Sequence, residues 1–175
     1  MSPRPERKSL RSATSWRRTA AFSITELMIV ITIISMLAAI ALPQLGKVRR
    51  QAAATAIAND FRTFAAAFDS YVHETGAWPA EADAGTMPPE MANRLYANSW
   101  LRVTPLGGQY NWDNNQMHSG IRYRAAIAIS GTASAPFAMD LDLLEAVDRT
   151  MDDGNLTTGN FRIGADDEPV FIIVQ

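Results

Sequence analysis

The first part of the chain is dominated by an apolar run that extends from Phe22 to Leu42. Glu26 is the only charged side chain between Phe22 and Gly46. A helix over these residues would be about 37 Å long, at about 1.5 Å per residue, which is enough to cross a membrane. The pattern therefore predicts a membrane-spanning helix over 22–46.

The pattern changes after Gly46, where apolar residues recur at spacings of four and three. This period marks one face of an amphipathic helix. Gly76 and Pro79 are typical of a helix end, so we predict one long helix from Phe22 to about Thr75. Its second part, 47–76, should pack against the rest of the protein through a stripe of five residues: Ile57, Phe61, Phe64, Phe68 and Tyr71.

The remaining residues, 77–175, have the shorter patterns of a mixed domain. Residues 121–130 alternate between apolar and other side chains, which predicts a strand. We further expect helices over 88–95 and 141–151, strands over 110–112, 161–163 and 170–174, and a turn at 113–115. The predicted fold class is α+β, with a long N-terminal helix, apolar in its first half, packed against a small antiparallel sheet.

Charge is distributed unevenly along the chain. Residues 1–21 hold six basic residues and one acidic residue, a net charge of +5, and because the whole chain carries −2, residues 22–175 carry −7. Basic flanks stay on the cytoplasmic side of a membrane, which predicts a single span with its N-terminus inside. Lys47, Arg49 and Arg50 follow the span and favour the opposite orientation, but they are fewer than the basic residues of 1–21.

Composition also excludes several kinds of site. An acidic globular part argues against nucleic acid as a partner. The chain has no Cys, which excludes disulfides, Cys-ligated zinc and thiol nucleophiles. His73 and His118 have neither a nucleophile motif nor a second His at metal-ligand spacing. We therefore expect no catalytic residues and a protein that is not an enzyme.

Glu26 needs an explanation, because a carboxylate within an apolar span costs a few kcal/mol, roughly, unless it finds a partner. A free α-amino group would be one, and it would exist if the chain were cut between Ala21 and Phe22. When such helices associate, a pair between this amine and Glu26 of a neighbour would set each subunit at one axial height.

The segment around this bond resembles the class III signal of type IV pilins and type II secretion pseudopilins. In that family a prepilin peptidase cuts before a Phe and methylates its amine, and a Glu stands at the fifth mature position. Phe22, Glu26 and Pro43 occupy the first, fifth and twenty-second mature positions of this chain, whereas Ala21 stands where the family usually has Gly. Residues 61–71 and the helix exit at 73–79 also resemble those of major pseudopilins.

The resemblance implies four regions and a structural role. Residues 1–21 would be a leader that is removed, 22–46 a transmembrane and assembly helix with a bend at Pro43, 47–76 its amphipathic continuation, and 77–175 a globular head. The protein would be a pseudopilin of the type II secretion pseudopilus. It would be anchored in the inner membrane and then polymerised through its helix into a periplasmic or surface filament.

The same resemblance implies a set of partners. They are further copies of the chain, other pseudopilins, a prepilin peptidase and N-methyltransferase, and an inner-membrane assembly platform with a cytoplasmic ATPase. Absence of Cys departs from many adhesive pilins, which close a C-terminal loop with a disulfide, and retention of Glu26 favours the filament body over its tip.

Several alternatives compete with this interpretation. The chain could be a minor type IV pilin in adhesion or motility, or a secreted or anchored binding protein. An ordinary secretory signal could end at Ala39-Ile40-Ala41 with a cut before Leu42, and Arg17-Arg18 could belong to a twin-arginine signal.

Two clusters remain in the head. Asp148, Asp152, Asp153 and Asn155 gather three carboxylates and an amide. Some major pseudopilins bind calcium in a C-terminal loop, so the resemblance implies calcium here, while a helix end followed by an Asp-Gly turn explains the same residues. No other cofactor is expected. The second cluster is aromatic, and core packing is its favoured role over a ligand-binding surface: Trp78, Tyr96, Trp100, Tyr110 and Trp112.

Overall fold

Helix α1 (Ile24–Thr75) contains 52 residues and continues through Pro43. The computed structural model describes residues 22–118, 121–164 and 167–175 of the chain. The helix starts two residues later than predicted and ends as predicted. Gly76 has a φ of 78°, and its N–H donates to the carbonyl of Val72 at 2.8 Å. This left-handed residue terminates the helix at low steric cost.

Four strands form one antiparallel sheet, in the order β1-β2-β4-β3. They are β1 (Gln109–His118), β2 (Ile121–Ser130), β3 (Phe161–Ile163) and β4 (Pro169–Val174). Shorter helical elements are the 3₁₀ helix Pro89–Met91, α2 (Ala97–Trp100) and α3 (Leu141–Met151). The predicted α+β, pilin-like class is confirmed.

The chain divides into two compact units, Met1–Leu42 and Pro43–Gln175. The second unit holds the buried core, which joins one face of α1 to the sheet and to α3. Trp100, Tyr110 and Trp112 are fully buried there, in agreement with a core role. Trp78 is half-buried, and Tyr96 is 81% exposed.

Both faces of the sheet are covered, which the alternation in β2 did not predict. Every residue from Ala125 to Ile129 is buried. Small side chains make this burial feasible, since Ala126 and Ala128 belong to a second apolar cluster with Tyr123, Val170 and Ile172. The pairing of β2 with β4 shifts register at Ala125/Ala126.

Both edges of the sheet are short or covered. Ala82 bridges to Trp112 of β1 through two backbone hydrogen bonds of 3.1 and 3.0 Å. Gly85 donates to the Tyr110 carbonyl at 3.2 Å. The opposite edge is β3, which has only three residues.

Two local predictions were wrong. No turn forms at 113–115, because β1 continues through these residues, and the irregularity is confined to Asn115, whose φ is 61°. Amide side chains secure the strand: Asn114 donates to the Pro79 carbonyl at 2.8 Å, and Asn111 to Asp113 at 3.0 Å. The helix expected over 88–95 is only the 3₁₀ turn Pro89–Met91, and the α-helix comes later, at Ala97–Trp100.

Candidate functional site

The start of α1 is closed by a capping box. Ser23 Oγ accepts a hydrogen bond from the backbone N–H of Glu26 at 3.1 Å. In return, a carboxylate oxygen of Glu26 accepts from the backbone N–H of Ser23 at 3.0 Å. Two N–H groups that a helix start leaves without partners are thereby satisfied. Within the described chain, the only hydrogen bond of the Glu26 carboxylate is therefore to its own helix.

The sequence contained a signal for this box, although the prediction missed it. Ser and Glu three residues apart before an apolar run form the S-x-x-E pattern of a helix start. Phe22 lies immediately before the cap, outside the helix, and is 75% exposed. Ala21 and the predicted leader 1–21 lie outside the described residues.

The first half of α1 presents apolar side chains on all sides. Ile24, Ile33 and Leu42 are all exposed. The polar side chains nearby bond within the helix: Thr32 donates to the Met28 carbonyl and Ser35 to the Ile31 carbonyl, each at 2.7 Å. Exposed apolar side chains, and hydroxyls that bond to the helix's own backbone, suit a hydrocarbon environment. In length and composition, this helix is able to cross a membrane.

The second half of α1 presents the predicted stripe to the core. Ile57, Phe61, Phe64 and Phe68 are buried and Tyr71 is half-buried. Their rings contact aromatic residues of the head, with Phe64 at 5.0 Å from Trp100 and Phe68 stacked at 3.8 Å on Trp112, measured between centroids. The Arg94 guanidinium lies over the Tyr71 ring at 5.4 Å.

One polar residue beside this stripe was not predicted. Asp60, on α1, accepts a hydrogen bond from the Tyr110 hydroxyl at 2.7 Å and also pairs with Arg102. Burial and the bond to Asp60 raise the pKa of Tyr110 above its usual range. Because its partners follow 42 and 50 residues later in the chain, spacing alone gave no sign of this contact.

Charged pairs also line a cleft of about 300 Å³ between the start of this second half and α3. Arg50 lies 3.1 Å from Asp142, and Arg149 lies 2.8 Å from Glu145. All four side chains are exposed, and such pairs contribute little to stability. Lys47 also lines the cleft.

The acidic loop after α3 is held by its own hydrogen bonds. Asp152 accepts from the backbone N–H groups of Asn160 and Phe161. Asp153 accepts from the Asn155 N–H at 2.8 Å and from the Thr158 hydroxyl at 2.6 Å. These contacts close a turn over 152–161.

Asp148 differs from its neighbours in the loop, because it is fully buried and neither carboxylate oxygen has a hydrogen-bond partner in the described chain. Burial, with the negative charges of Asp153 and Asp152, raises its pKa to about 6. Among the described residues, no group of three or more carboxylate or His side chains is arranged to hold a metal. Calcium at Asp148, Asp152, Asp153 and Asn155 stays a prediction.

Comparison with known protein families finds one match, at the N-terminus. The prokaryotic N-terminal methylation motif matches residues 16–42. The chain carries a type IV pilin-like prepilin signal. The match includes Ala21, Phe22 and Glu26, and it ends one residue before Pro43. No curated protein and no solved structure matches the chain.

The prepilin signal gives the geometry of α1 a biological context. A signal of this type implies processing by a prepilin peptidase and assembly into filaments. The described chain agrees with a pilin-like protein at each level: an N-terminal apolar helix, a continuous amphipathic extension, and a small antiparallel sheet packed on that extension.

Proposed function

We propose that this pilin-like protein is a structural subunit of a type II secretion pseudopilus. The observation that carries the proposal is the exposed apolar half of α1, which holds one acid, Glu26, at the fifth position after the processing site. Since the head buries most of its large apolar side chains in its own core, this half of the helix is the part that most needs a partner. A membrane before assembly, and neighbouring helices afterwards, would supply it.

Assembly would follow from the chemistry of the new N-terminus. Cleavage before Phe22 exposes an amine, and the Glu26 carboxylate of a neighbouring subunit is the complementary charge. Two such charges are costly apart in an apolar bundle and favourable together. We infer that the pair fixes the axial register of each incoming subunit and that the protein acts without catalysis of its own.

The choice of a secretion pseudopilus over a pilus rests on a smaller observation. The chain has no Cys and so no disulfide-closed C-terminal loop, a feature that the resemblance associates with adhesive pilins. In this proposal the other partners are further pseudopilins and an inner-membrane platform driven by a cytoplasmic ATPase. A minor type IV pilin is the second candidate, and the exposed ring of Tyr96 would suit a binding surface on its head.

The first test is the mature N-terminus, measured by mass spectrometry on protein from native membranes. A chain that begins at N-methylated Phe22 supports the proposal. A chain that begins at Leu42, or an intact leader, removes the amine that Glu26 requires and contradicts it.

The second test replaces Glu26 by Gln, which keeps the size of the side chain and removes its charge. We expect filaments to be lost while the processed protein stays in the membrane. Asp69→Asn is the matched control, since Asp69 is an exposed acid on the same helix outside the predicted span, and it should assemble normally. Secretion of a folded substrate, scored beside surface piliation and motility, separates the pseudopilus from the pilus.

A further inference from the structure

We propose that the cleft between α1 and α3 binds the phosphate of an anionic phospholipid while the protein is anchored in the membrane. Lys47, Arg50 and Arg149 would hold the phosphate, and the lipid is one of the bilayer in which the chain is anchored. The inference rests on the membrane-anchored stage of the proposed function and adds a lipid partner to it. The head would then be held on the membrane surface until the subunit is extracted.

The cleft lies where the predicted membrane span ends. Lys47 directly follows Gly46, the last residue of that span, and Arg50 comes about one helical turn later. At about 1.5 Å per residue, Arg50 lies roughly 6 Å beyond Gly46 along the helix axis. The headgroup region on each side of a hydrocarbon core is about 5–7 Å deep. A span that ends at Gly46 therefore brings both cations to the level of the lipid phosphates.

The fold brings a second helix to the same cleft. Arg50 lies 3.1 Å from Asp142, in the first turn of α3, and Arg149 of α3 also lines the cleft. Large apolar side chains adjoin these charges on both helices, with Val48 64% and Leu141 54% exposed. Cations beside exposed apolar side chains are typical of surfaces that lie on a membrane.

The size and charge of the cleft suit an anion. Its volume of about 300 Å³ is at the lower end of the range for small-ligand sites, about 300–1,000 Å³. Lys47, Arg50 and Arg149 line it with Asp142 and Glu145, which leaves one positive charge in excess. Lys47 makes no ion pair with any residue that the structure describes. The two Arg residues are held only in exposed pairs, which are weak, and the planar fork of an Arg side chain has further N–H donors that match a phosphate.

The charge of the rest of the chain makes this end of the head the one that faces the lipid. Residues 22–175 carry a net charge of −7, so an anionic bilayer repels them as a whole. Three of their ten Lys and Arg residues stand within 47–50, and no Asp or Glu lies between Glu26 and Asp60. A basic end on an acidic domain is drawn toward an anionic surface and turns the acidic remainder away from it.

The test measures the lipid preference of the full processed chain, purified from native membranes and reconstituted in vesicles of phosphatidylcholine with a minor share of phosphatidylglycerol. Electron spin resonance of spin-labelled forms of the two lipids gives their relative association with the protein. Wild type should prefer phosphatidylglycerol. Lys47→Gln and Arg149→Gln should each lower that preference by up to about fivefold, the effect of one cation at an anionic membrane surface.

Arg149→Gln is the decisive variant, because Arg149 is far from the span in the sequence and only the folded cleft brings it beside Lys47. Arg124→Gln is the matched control, since Arg124 is an exposed cation of β2 outside the cleft, and it should keep the wild-type preference. Asp142→Asn removes an acid that competes with the phosphate for Arg50 and should raise the preference. The inference is overturned if Arg149→Gln behaves like wild type, if Arg124→Gln lowers the preference as much, or if Asp142→Asn fails to raise it.

Filament formation, scored for the same variants, keeps failure of this inference distinct from failure of the proposed function. Glu26→Gln should form no filaments and keep the wild-type lipid preference, because Glu26 lies outside the cleft. Normal filaments from Glu26→Gln contradict the assembly role and leave the lipid site standing. An Arg149→Gln protein that loses filaments but keeps its lipid preference would show that a neighbouring subunit occupies the cleft, which overturns the lipid site and leaves the filament subunit standing.

Discussion

The two halves of α1 carry the same kind of side chain into opposite surroundings. Ile33 and Leu37 are 54% and 62% exposed, whereas Ile57 and Phe61 are completely buried. Burying one such side chain is worth about 1.5–3 kcal/mol. The second half obtains this stabilisation from its own head, and the first half obtains it only from something outside the chain. One helix therefore separates folding from assembly.

The largest expected effect comes from removing a packing contact between the second half of α1 and the head. Phe68→Ala removes a ring that is fully buried and stacked on Trp112. Replacing a core Phe by Ala costs about 3–5 kcal/mol, so we expect the free energy of unfolding in urea to fall by that amount. Leu37→Ala, in the exposed half, is the matched control and should leave head unfolding unchanged. Equal effects would contradict the division of the helix.

The second prediction concerns Asp148, whose buried carboxylate has no hydrogen-bond partner among the described residues. Its pKa is raised from 3.8 to about 6, so the folded protein holds the proton more tightly than the unfolded chain. Stability from this proton is complete below about pH 4 and is lost as pH rises to about 6. Asp148→Asn should therefore stabilise the head at pH 7, by up to about 3 kcal/mol, and have no effect near pH 4.

Denaturation of wild type and Asp148→Asn at several pH values checks this, and a difference independent of pH would contradict it.

The same pair of proteins tests calcium. If the loop binds Ca²⁺, excess calcium should raise the midpoint of wild type and leave Asp148→Asn unaffected, with EDTA as the control. Equal midpoints of wild type in calcium and in EDTA would remove the calcium prediction.

A third prediction compares two acids of α1. Asp60 bonds to Tyr110 and Arg102 of the head. Within the described chain, the one hydrogen bond of the Glu26 carboxylate comes from the backbone N–H of Ser23, the cap of its own helix. Asp60→Ala leaves the buried Tyr110 hydroxyl without this partner, and we expect a loss of about 2 kcal/mol in head stability. Glu26→Gln should not change head unfolding at all. Calorimetry of both variants measures the contrast.

The smallest effect comes from the N-cap of α3. Asp140 accepts a hydrogen bond from the Leu143 N–H at 3.1 Å. Asp140→Ala should lower head stability by about 1 kcal/mol, and Asp140→Ser should recover most of it. Ser23→Ala removes a cap from the other half of the molecule, so its head should unfold like that of the wild type.

The stripe of α1 was predictable from the sequence because its period is that of the helix. Ile57, Phe61, Phe64 and Phe68 recur at helical spacing, so a single rule places them on one face. The strands at 121–130 and 161–163 followed from local pattern in the same way. The prediction of a turn at 113–115 was wrong because Asn and Asp favour turns locally, whereas here the side-chain amide of Asn114 donates to the Pro79 carbonyl and the strand continues.

The polar contacts of the head were not predictable in this manner. Asp60 meets Tyr110 only after the sheet has packed on the helix, and Asp148 becomes a buried acid only because α3 turns that side toward the core. Neither depends on spacing in the sequence. Ser23 is the opposite case, because the S-x-x-E pattern of its capping box is local and could have been recognised in the sequence. The sequence analysis missed it because it gave Glu26 a role in assembly alone.

The covered edges of the sheet have a consequence for crowding. Subunits that gather in a membrane or stack in a filament bring many copies of the same head together, and an open strand would invite them to pair as amyloid does. In this head Ala82 occupies part of the β1 edge and β3 is only three residues long. Part of the backbone at each edge is thereby closed to neighbours. Aggregation is thereby discouraged at the density that polymerisation demands, and recognition between heads is left to side chains, which can be varied without disturbing the fold.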